Sequence, residues 1–259
     1  MRLIPVWART AVPLAWAELR QRYAGSLLGA AWAVAEPLLE VLAYVLVFGF
    51  VLRFTTGLER WRIALVVASG VLPWSALRLS LDGCARLLAD NRWIRRSTVP
   101  FEPLVARQAL VCAVRALAGL VLVGLASVAY GARLGPAEVL LPLVALYCQT
   151  VAAYGLGLAL APLGALLPDL RPGLASALTL LTFASPVVYV EHGLPPSVLA
   201  ALEWNPYTHY LRLYRLLISP EAGQVTAAGL ITVLATPALC LAAGSLVKRR
   251  WLSAARDRL

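Results

Sequence analysis

The sequence predicts an all-α integral membrane protein with six transmembrane helices, and both its composition and its apolar runs indicate this class. Hydrophobic residues make up 61% of the 259-residue chain and charged residues 14%, whereas soluble domains are typically about 45–50% apolar and about 25% charged. The mean hydropathy is +0.77. No long polar stretch interrupts the chain, so we expect one transmembrane domain over residues 1–259.

Six stretches are apolar enough to cross a bilayer, which requires about 20 mostly apolar residues in a helix. The predicted transmembrane helices are 30–52, 63–81, 104–130, 138–167, 174–190 and 225–247. The fifth is short.

An amphipathic helix is predicted before the first of these stretches. Its apolar residues recur at helical spacing and are Val12, Trp16, Leu19, Tyr23 and Leu27. Glu18, Arg20, Gln21 and Arg22 occupy the intervening turns. Such a helix lies in the membrane interface. The alternative is a plain leader into the first transmembrane helix.

The distribution of Lys and Arg predicts the orientation in the membrane. Of the 23 basic residues, 15 fall in segments 1–29, 82–109, 168–173 and 248–259, and six fall in 53–62, 131–137 and 191–224. Because cytoplasmic loops are enriched in Lys and Arg, both termini are expected to be cytoplasmic. Topology and anionic lipid then explain the net charge of +10 better than nucleic acid does.

The external segment 191–224 is expected to contain short helices that do not cross the membrane. After a break at Asn205-Pro206, one apolar stripe contains Tyr207, Tyr210, Leu211, Tyr214, Leu217 and Ile218, and the opposite face contains His209, Arg212 and Arg215. This pattern predicts a helix on, or dipping into, the outer leaflet.

No catalytic residue, metal site or cofactor of its own is expected in this chain. The only Lys is Lys248, and no glycine-rich turn precedes it, so a P-loop for ATP is excluded. The sequence contains neither HExxH nor GxSxG. Four scattered cysteines, Cys84, Cys112, Cys148 and Cys240, lack metal-ligand spacing. An intramembrane enzyme is the weaker alternative.

Charged residues inside the predicted transmembrane helices are the first candidates for function, because they are costly in lipid. Glu36 and Glu40 lie one helical turn apart on the first, Arg78 lies near the inner end of the second, and Arg115 lies inside the third. They either pair with one another or line a hydrated path.

Aromatic residues are the second set of candidates, because sugar rings stack on aromatic faces. The set comprises Trp32, Tyr44, Phe48, Trp74, Tyr147, Tyr154, Phe183 and Tyr189. Ordinary packing or an interfacial belt is the alternative for each of them.

The segment Cys84–Glu102 is the strongest basic interruption between apolar runs. It carries Arg86, Arg92, Arg95 and Arg96. One interpretation is a loop that only fixes the topology. The other is a contact with a soluble, ATP-hydrolysing partner, which a chain without an ATP site would need.

Ordered motifs along nearly the whole chain resemble the membrane-spanning permease subunit of bacterial ABC-2-type exporters, in the branch that exports O-antigen, capsule and teichoic-acid polysaccharides. The first group is Arg22-Tyr23, Leu28-Gly29, Trp32, Pro37-Leu38-Leu39, Tyr44 and Val47-Phe48-Gly49. The second is Gly70, Pro73-Trp74, Asn91, Ile94, Arg95-Arg96, Val99-Pro100 and Pro103. The third is Asp169, Ser185-Pro186-Val187-Val188-Tyr189, Pro195, Asn205-Pro206 and Arg215.

This resemblance implies an assembly and a cargo. Two copies would form the pathway, and two separate subunits that bind ATP and Mg would dock on the cytoplasmic face. The cargo would be a glycan on an undecaprenyl pyrophosphate carrier, moved across the bacterial inner membrane. A drug, an antibiotic or a smaller lipid is the alternative cargo.

The resemblance also implies roles for residues. Contacts with the ATP-binding subunits would involve Glu18, Arg22, Arg86, Asp90, Asn91, Arg92, Arg95, Arg96, Asp169 and Arg171. Among these, Arg92, Arg95 and Arg96 are also candidates for binding pyrophosphate, which the guanidinium fork binds bidentately. The external gate would contain Asn205, Pro206, Tyr207, Tyr210 and Tyr214.

Two positions depart from the family pattern. Pro168 precedes Asp169 where the family commonly has Arg, and Arg171 is the possible substitute. Glu40 stands where an apolar residue is usual.

Overall fold

The computed structural model describes residues 6–22, 25, 32–44, 46, 60–90, 100–191, 193–219, 223 and 225–257. The helices in these ranges are α1 Val6–Arg22, α2 Trp32–Tyr44, α3 Arg60–Asp90, α4 Glu102–Ala129, α5 Pro136–Leu166, α6 Leu170–Ala184, α7 Pro196–Glu203, α8 Pro206–Arg215 and α9 Ala227–Asp257. The described ranges contain no strand. The predicted all-α class is confirmed.

Four of these helices are long and apolar enough to cross a membrane, namely α3, α4, α5 and α9. At 28 to 31 residues, each is about 42–46 Å long, which exceeds the hydrocarbon thickness of about 30 Å. They correspond to the predicted transmembrane helices at 63–81, 104–130, 138–167 and 225–247. The protein is therefore a multi-pass membrane protein.

The predicted boundaries differ from the structure at two inner helix ends. Residues 82–90 continue α3, although the sequence interpretation placed them in a cytoplasmic loop. The extension is stable because Cys84, Leu87 and Leu88 are buried in a cluster with Phe101 of the connecting segment and Leu158 of α5. The last helix likewise extends past the predicted residue 247 to Asp257.

The predicted fifth transmembrane helix is shorter than expected. Helix α6 has 15 residues, about 22 Å, and ends where the sequence interpretation had continued to residue 190. Ser185 is extended (φ −112°, ψ 149°), because the residue before a proline disfavours the helical region. The predicted first transmembrane helix is represented by α2 and residue 46, and its residues 30–31, 45 and 47–52 lie outside the described part.

Glycines allow helix α5, which packs against α3, α4, α6, α8 and α9, to approach its neighbours closely. A Cβ on Gly155 would lie 2.6 Å from the backbone of Cys240 and Leu241, and a Cβ on Gly244 would clash with the Gly155 carbonyl. The α5–α9 contact is therefore backbone against backbone, as small residues permit in membranes.

A glycine also ends the fourth helix. Gly131 has φ +89°, and the Ala132 and Gly131 N–H groups donate to the carbonyls of Ser127 and Val128, each at 2.9 Å. This is a Schellman C-cap, in which a left-handed glycine satisfies the last carbonyls. It turns the chain into α5, which begins at Pro136.

Helix α1 forms where the amphipathic helix was predicted and packs along α4. Ala11 and Ala15 are buried, whereas Val12 and Trp16 are exposed. An exposed apolar side on a membrane protein suits lipid, and the position of α1 in the interface remains a prediction.

Candidate functional site: a charged cleft between helices α2, α3, α4 and α6

A cleft of about 460 Å³ between α2, α3, α4 and α6 brings acidic and basic side chains together. Its charged lining residues are Glu36 and Glu40 of α2, Arg78, Asp82 and Arg86 of α3, and Arg115 of α4. Ser75, Leu79, Leu174, Ala175 and Leu178 complete the walls. Three carboxylates and three guanidinium groups thus share one cleft and balance in formal charge.

The contribution of α3 follows from helical spacing. Ser75, Arg78, Asp82 and Arg86 are separated by three or four residues, so they lie on one face of the helix. Arg86 therefore lines the cleft together with Ser75, Arg78 and Asp82. The sequence interpretation had placed it in a cytoplasmic loop.

Two pairs of opposite charges in the cleft are in direct contact. Arg115 Nη1 lies 2.7 Å from Glu36 Oε2, and the Arg115 side chain is only 7% exposed. Arg86 Nε lies 3.0 Å from Asp82 Oδ2, one turn away on α3. Pairing, one of the two alternatives for intramembrane charge, thus holds for Glu36 and Arg115. Glu36 and Glu40 nevertheless both face the cleft.

Helix α6 forms one wall of the cleft and is attached to α3 largely by polar side chains. Leu178 and Thr182 are its buried residues. Three contacts, here called the α3–α6 rungs, connect the two helices: Asp90–Arg171 at 2.9 Å, Arg78–Thr179 at 3.4 Å and Trp74–Thr182 at 2.7 Å. The middle rung is long for a hydrogen bond. A wall attached in this way resists displacement less than one with an apolar seam.

Ion pairs also connect helices at the ends that the sequence predicts to be cytoplasmic, here called the inner ends. Glu18 of α1 pairs with Arg107 of α4 at 2.9 Å, and Glu102 of α4 pairs with Lys248 of α9 at 2.6 Å. With Asp90–Arg171 they form three inner ion pairs, each between two helices.

The structure thus places the predicted contacts with ATP-binding subunits in different settings. Glu18, Asp90 and Arg171 bind other helices of the same chain, and Asp169 is exposed at the start of α6. The Arg22 side chain is not described. Asn91, Arg92, Arg95 and Arg96 lie in 91–99, outside the described ranges, and the pyrophosphate assignment of these arginines lies there too.

Helix α8 differs most from its sequence interpretation. Every residue from Tyr207 to Arg215 is buried, including the polar face of His209, Arg212 and Arg215. The expected exposure of this polar face is therefore wrong, whereas the position of the helix on, or dipping into, the outer leaflet stays a prediction. Helix α8 packs against α3, α5, α7 and α9.

Carboxylates and carbonyls compensate the buried arginines of α8. Arg212 Nη2 lies 2.5 Å from Glu191 Oε2 and 2.6 Å from Glu203 Oε1. Arg215 Nη2 donates to the carbonyl of Tyr189 at 2.7 Å and to that of Pro186. Sequence reasoning missed Glu191 and Glu203, although three acids and two arginines in the predicted external segment 191–224 were a usable signal.

These contacts shift the ionisation of groups outside the long helices. The hydrogen bond from Arg212 holds the pKa of Glu203 below its ordinary value. Burial acts to lower the pKa of Arg212, but hydrogen bonds to Glu191 and Glu203 outweigh it and the net direction is upward. Burial lowers the pKa of Arg215 to about 10, so both guanidinium groups are charged at neutral pH.

Asn205 joins the ends of two helices. Its side-chain oxygen accepts from the Tyr207 N–H at 3.0 Å and caps α8. Its side-chain nitrogen donates to the Ser185 hydroxyl at 2.7 Å and to the Ala184 carbonyl at 3.3 Å, at the end of α6. The predicted gate pair Asn205-Pro206 is therefore the junction of α6 and α8.

The tyrosines of α8 attach it to three helices. The hydroxyls of Tyr207 and Tyr214 donate to Gln149 Oε1 at 3.3 and 2.9 Å, and Gln149 Nε2 donates to the Pro73 carbonyl at 2.9 Å. The Tyr210 hydroxyl donates to the Val233 carbonyl at 3.2 Å. These rings are core residues of the chain.

The predicted pathway aromatics separate into buried and exposed groups. Trp74 is 4% exposed and its ring lies 4.6 Å from that of Tyr207, so in this structure it packs in the core and does not line the cleft. Phe183 is 60% exposed, and most of the Tyr147 side chain is exposed as well. The intermediate set is Trp32, Tyr154 and Tyr189. The Tyr44 side chain and Phe48 are not described.

Comparison with known proteins gives the class of this membrane protein. The chain matches no protein-family model. It is 28% identical to the O-antigen export system permease protein RfbA of Myxococcus xanthus over 248 residues, which cover 92% of this chain and 91% of that protein. It is 22% identical to a protein of the same name from Klebsiella pneumoniae, over 76% of this chain and 75% of that protein.

A third relative is named for a different cargo. The chain is 22% identical to the polysialic acid transport protein KpsM of Escherichia coli, over 78% of both chains. The chain is therefore a homologue of transport permeases. More closely, it is related to the permease subunits of ABC-2-type polysaccharide exporters, and the resemblance drawn from its motifs is confirmed.

Proposed function

We propose that this chain is the transmembrane permease subunit of an ATP-driven ABC exporter that moves lipid-linked polysaccharide across the bacterial inner membrane. The observation that carries this proposal is the similarity to an O-antigen export permease over 92% of the chain. O-antigen, capsule and teichoic-acid polymers are the candidate cargoes.

The proposed topology has six transmembrane helices and both termini in the cytoplasm. Helices α3, α4, α5 and α9 supply four, and α2 and α6 would belong to the first and the fifth. Helices α7 and α8 belong to the external segment. The inner ion pairs then lie at the cytoplasmic ends of the bundle, where most of the Lys and Arg residues were predicted to lie.

The proposed assembly contains two copies of this chain and two ATP-binding subunits. ATP and Mg would bind to those subunits, and this chain would act as a transport subunit without a cofactor. Segment 91–99, Asp169 and the amphipathic helix α1 would contact them. Asp169 is exposed at the start of α6, which supports this part of the proposal.

The α3–α6 rungs and the inner ion pairs suggest how movement reaches the cleft. A push on α1 would pass to α4 through Glu18–Arg107, and a push near residue 90 would pass to α6 through Asp90–Arg171. Because α6 is a wall of the cleft, its displacement would change the cleft width. Glu18, Asp90 and Arg171 would then transmit movement within the chain and would not be direct contacts.

The sugar part of the cargo would contact aromatic and polar groups. The described residues that remain candidates for the pathway are Trp32, Tyr154, Phe183 and Tyr189, together with Glu36 and Glu40. Aromatic rings stack on sugar faces, and carboxylates accept hydrogen bonds from sugar hydroxyls. Tyr44 and Phe48 remain candidates on sequence grounds alone.

Co-purification with the ATP-binding subunit from the same operon tests this proposal. We expect a stable complex whose ATPase rate rises when a lipid-linked glycan is added to the reconstituted membrane. Charge reversal at Arg95 and Arg96 is expected to abolish the stimulation without loss of membrane insertion. Catalytic turnover by this chain alone, or stimulation by small drugs and not by glycans, would contradict the proposal.

A further inference from the structure

Arg78 differs from the other two arginines of the charged cleft in its partners. Arg115 and Arg86 each pair with a carboxylate at 3.0 Å or less. The Arg78 contact among the described residues is its Nη2 group with the Thr179 hydroxyl at 3.4 Å, and no carboxylate of the described ranges lies within 4.0 Å of it. Most of its five N–H donors are therefore available inside the cleft.

The cleft has room for a ligand beside this guanidinium. Its volume of about 460 Å³ falls within the range of small-molecule sites, about 300–1,000 Å³. The walls next to Arg78 are Ser75, Leu79, Asp82 and, across the cleft, Ala175 and Leu178. A charged group inside a membrane protein without a close counterion is costly, so a ligand that supplies the counterion would be stabilised.

Two carboxylates of the cleft already pair with the other two arginines, so Arg78 is the arginine of the cleft that can bind an anion. Glu36 is neutralised by Arg115 and Asp82 by Arg86. Glu40 lines the same cleft and interacts with the Ser75 hydroxyl, and its charge acts on Arg115 and Arg78 without an ion pair within 4.0 Å to either. The cleft thus offers a forked donor at Arg78 and an acceptor at Glu40, a combination that suits an oxyanion flanked by hydroxyl groups.

We propose that Arg78 binds an oxyanion of the cargo in this cleft, a phosphate of the lipid carrier or a carboxylate of an acidic sugar. This inference rests on the proposed function as a glycan permease. On binding, the guanidinium fork exchanges its weak contact with Thr179 for two charge-assisted hydrogen bonds. The α3–α6 rung at Thr179 then opens, so cargo binding loosens the wall of the cleft at its midpoint.

The test measures binding by the full-length chain in nanodiscs of phosphatidylcholine, without an ATP-binding subunit. One probe pair is a polyprenyl diphosphate and the matching uncharged polyprenol. The other is a soluble uronic-acid oligosaccharide and its carboxyl-reduced, neutral form. The variants are Arg78→Gln, which removes the charge, and Arg78→Lys, which keeps the charge without the fork. Arg133→Gln is the matched control in the exposed external turn.

We expect Arg78→Gln to raise the Kd of one charged probe about 10- to 100-fold, as the loss of hydrogen bonds to a charged group predicts. Arg78→Lys should show a smaller loss, and Arg133→Gln none. The probe that responds identifies the source of the oxyanion, lipid phosphate or sugar carboxylate. The uncharged partner probes should bind equally to all variants.

Thr179→Val is the second variant. It breaks the same contact between α3 and α6 as Arg78→Gln does but keeps the guanidinium group, so it separates loss of that contact from loss of the anion-binding group. Binding of the charged probe should stay equal or become tighter in this variant. Equal affinity of the wild type and Arg78→Gln for both charged probes would overturn the role of Arg78 while leaving the export proposal intact. Failure of the wild type to bind either charged probe would likewise overturn the role of Arg78, whereas the export proposal is decided by the co-purification and ATPase measurement above.

Discussion

The Tyr210 hydroxyl donates to the Val233 carbonyl of α9 at 3.2 Å, at the position where α9 cannot supply a donor itself. The N–H that would bond this carbonyl belongs to residue 237, which is a proline inside the helix. Tyr210 therefore satisfies a backbone group that would otherwise be buried without a partner. Tyr210, which the sequence predicted to belong to an external gate, therefore supports the fold of α9.

Removal of this hydroxyl is expected to destabilise the protein. Tyr210→Phe should cost about 1 kcal/mol, since it leaves the Val233 carbonyl unsatisfied. Thermal unfolding in detergent measures the effect. In a Pro237→Ala background the helix supplies the missing N–H, so the same substitution should cost much less. Tyr147→Phe, on an exposed ring, is the control. Equal costs in both backgrounds would contradict the role given to Tyr210.

Trp74 and Phe183 are expected to respond oppositely to truncation. Trp74→Ala should lower the yield of folded protein, because it removes a core ring and the bond to Thr182, and large-to-small core changes cost about 3–5 kcal/mol. Phe183→Ala should leave the thermal midpoint nearly unchanged and slow glycan export. The midpoint and the export rate of both variants are the measurements. Normal folding of Trp74→Ala with impaired export would restore Trp74 to the pathway.

The ion pair between Arg212 and Glu203 should make the stability of the fold depend on pH. The folded-state pKa of Glu203 is below its ordinary value of 4.5. Its stabilising contribution is therefore fully present above that value and is lost as the pH falls through the lowered pKa. We expect Glu203→Gln to lose less stability than the wild type when the pH is taken below about 4.5. Unfolding midpoints across that range measure this.

Glu138→Gln makes the same chemical change at the start of α5, away from Arg212. It should retain the acid dependence of the wild type. The contrary result would be unfolding midpoints of Glu203→Gln and the wild type that fall equally as the pH drops below the ordinary pKa of a glutamate. The Arg212–Glu203 contact would then contribute nothing to the stability of the fold.

The Asp90–Arg171 pair should be exchangeable in charge. Arg171→Asp places two carboxylates at the inner rung and should reduce glycan-stimulated ATPase activity of the reconstituted complex. Adding Asp90→Arg restores an ion pair and should recover most of that activity. Glu102→Lys with Lys248→Glu is the matched exchange at another inner ion pair. A double variant no better than Arg171→Asp alone would exclude transmission through this rung.

Two glycines should give opposite results when replaced by alanine. Gly244→Ala inserts a methyl group into the Gly155 carbonyl and should reduce the fraction of monodisperse protein. Overpacking against backbone costs about 1–3 kcal/mol or more. Gly173→Ala in α6 meets open space and should raise the thermal midpoint slightly. Tolerance of alanine at residue 244 would show that the α5–α9 contact is looser than described.

Features that depend on local pattern were predicted from the sequence. Long apolar runs located α3, α4, α5 and α9, and Pro206 after Asn205 located the start of α8. The inner end of α3 was missed because Arg86 and Asp90 look like loop residues. Their helix is stabilised by the burial of Cys84, Leu87 and Leu88 against distant parts of the chain, which no local pattern reveals.

The candidate site was predicted only residue by residue. Glu36, Glu40, Arg78 and Arg115 were selected as intramembrane charges, but their meeting in one cleft depends on how α2, α3, α4 and α6 pack. The burial of Arg212 likewise depends on Glu191, which is 21 positions away. Pairwise tertiary contacts of this kind leave no periodic signal.

The double capping by Asn205 has a geometric consequence for helix α6. Its Ser185 end is fixed to α8 through Ser185 and Ala184, whereas in the described ranges the polar contact at its other end is the partly exposed pair Asp90–Arg171. Such a helix would pivot about its Ser185 end. With a length of about 22 Å, a tilt of about 10° would move Arg171 by about 4 Å while Ser185 stays in place. Helix α6 would therefore convert a small rotation into a displacement of atomic size at the end of the cleft next to Arg171.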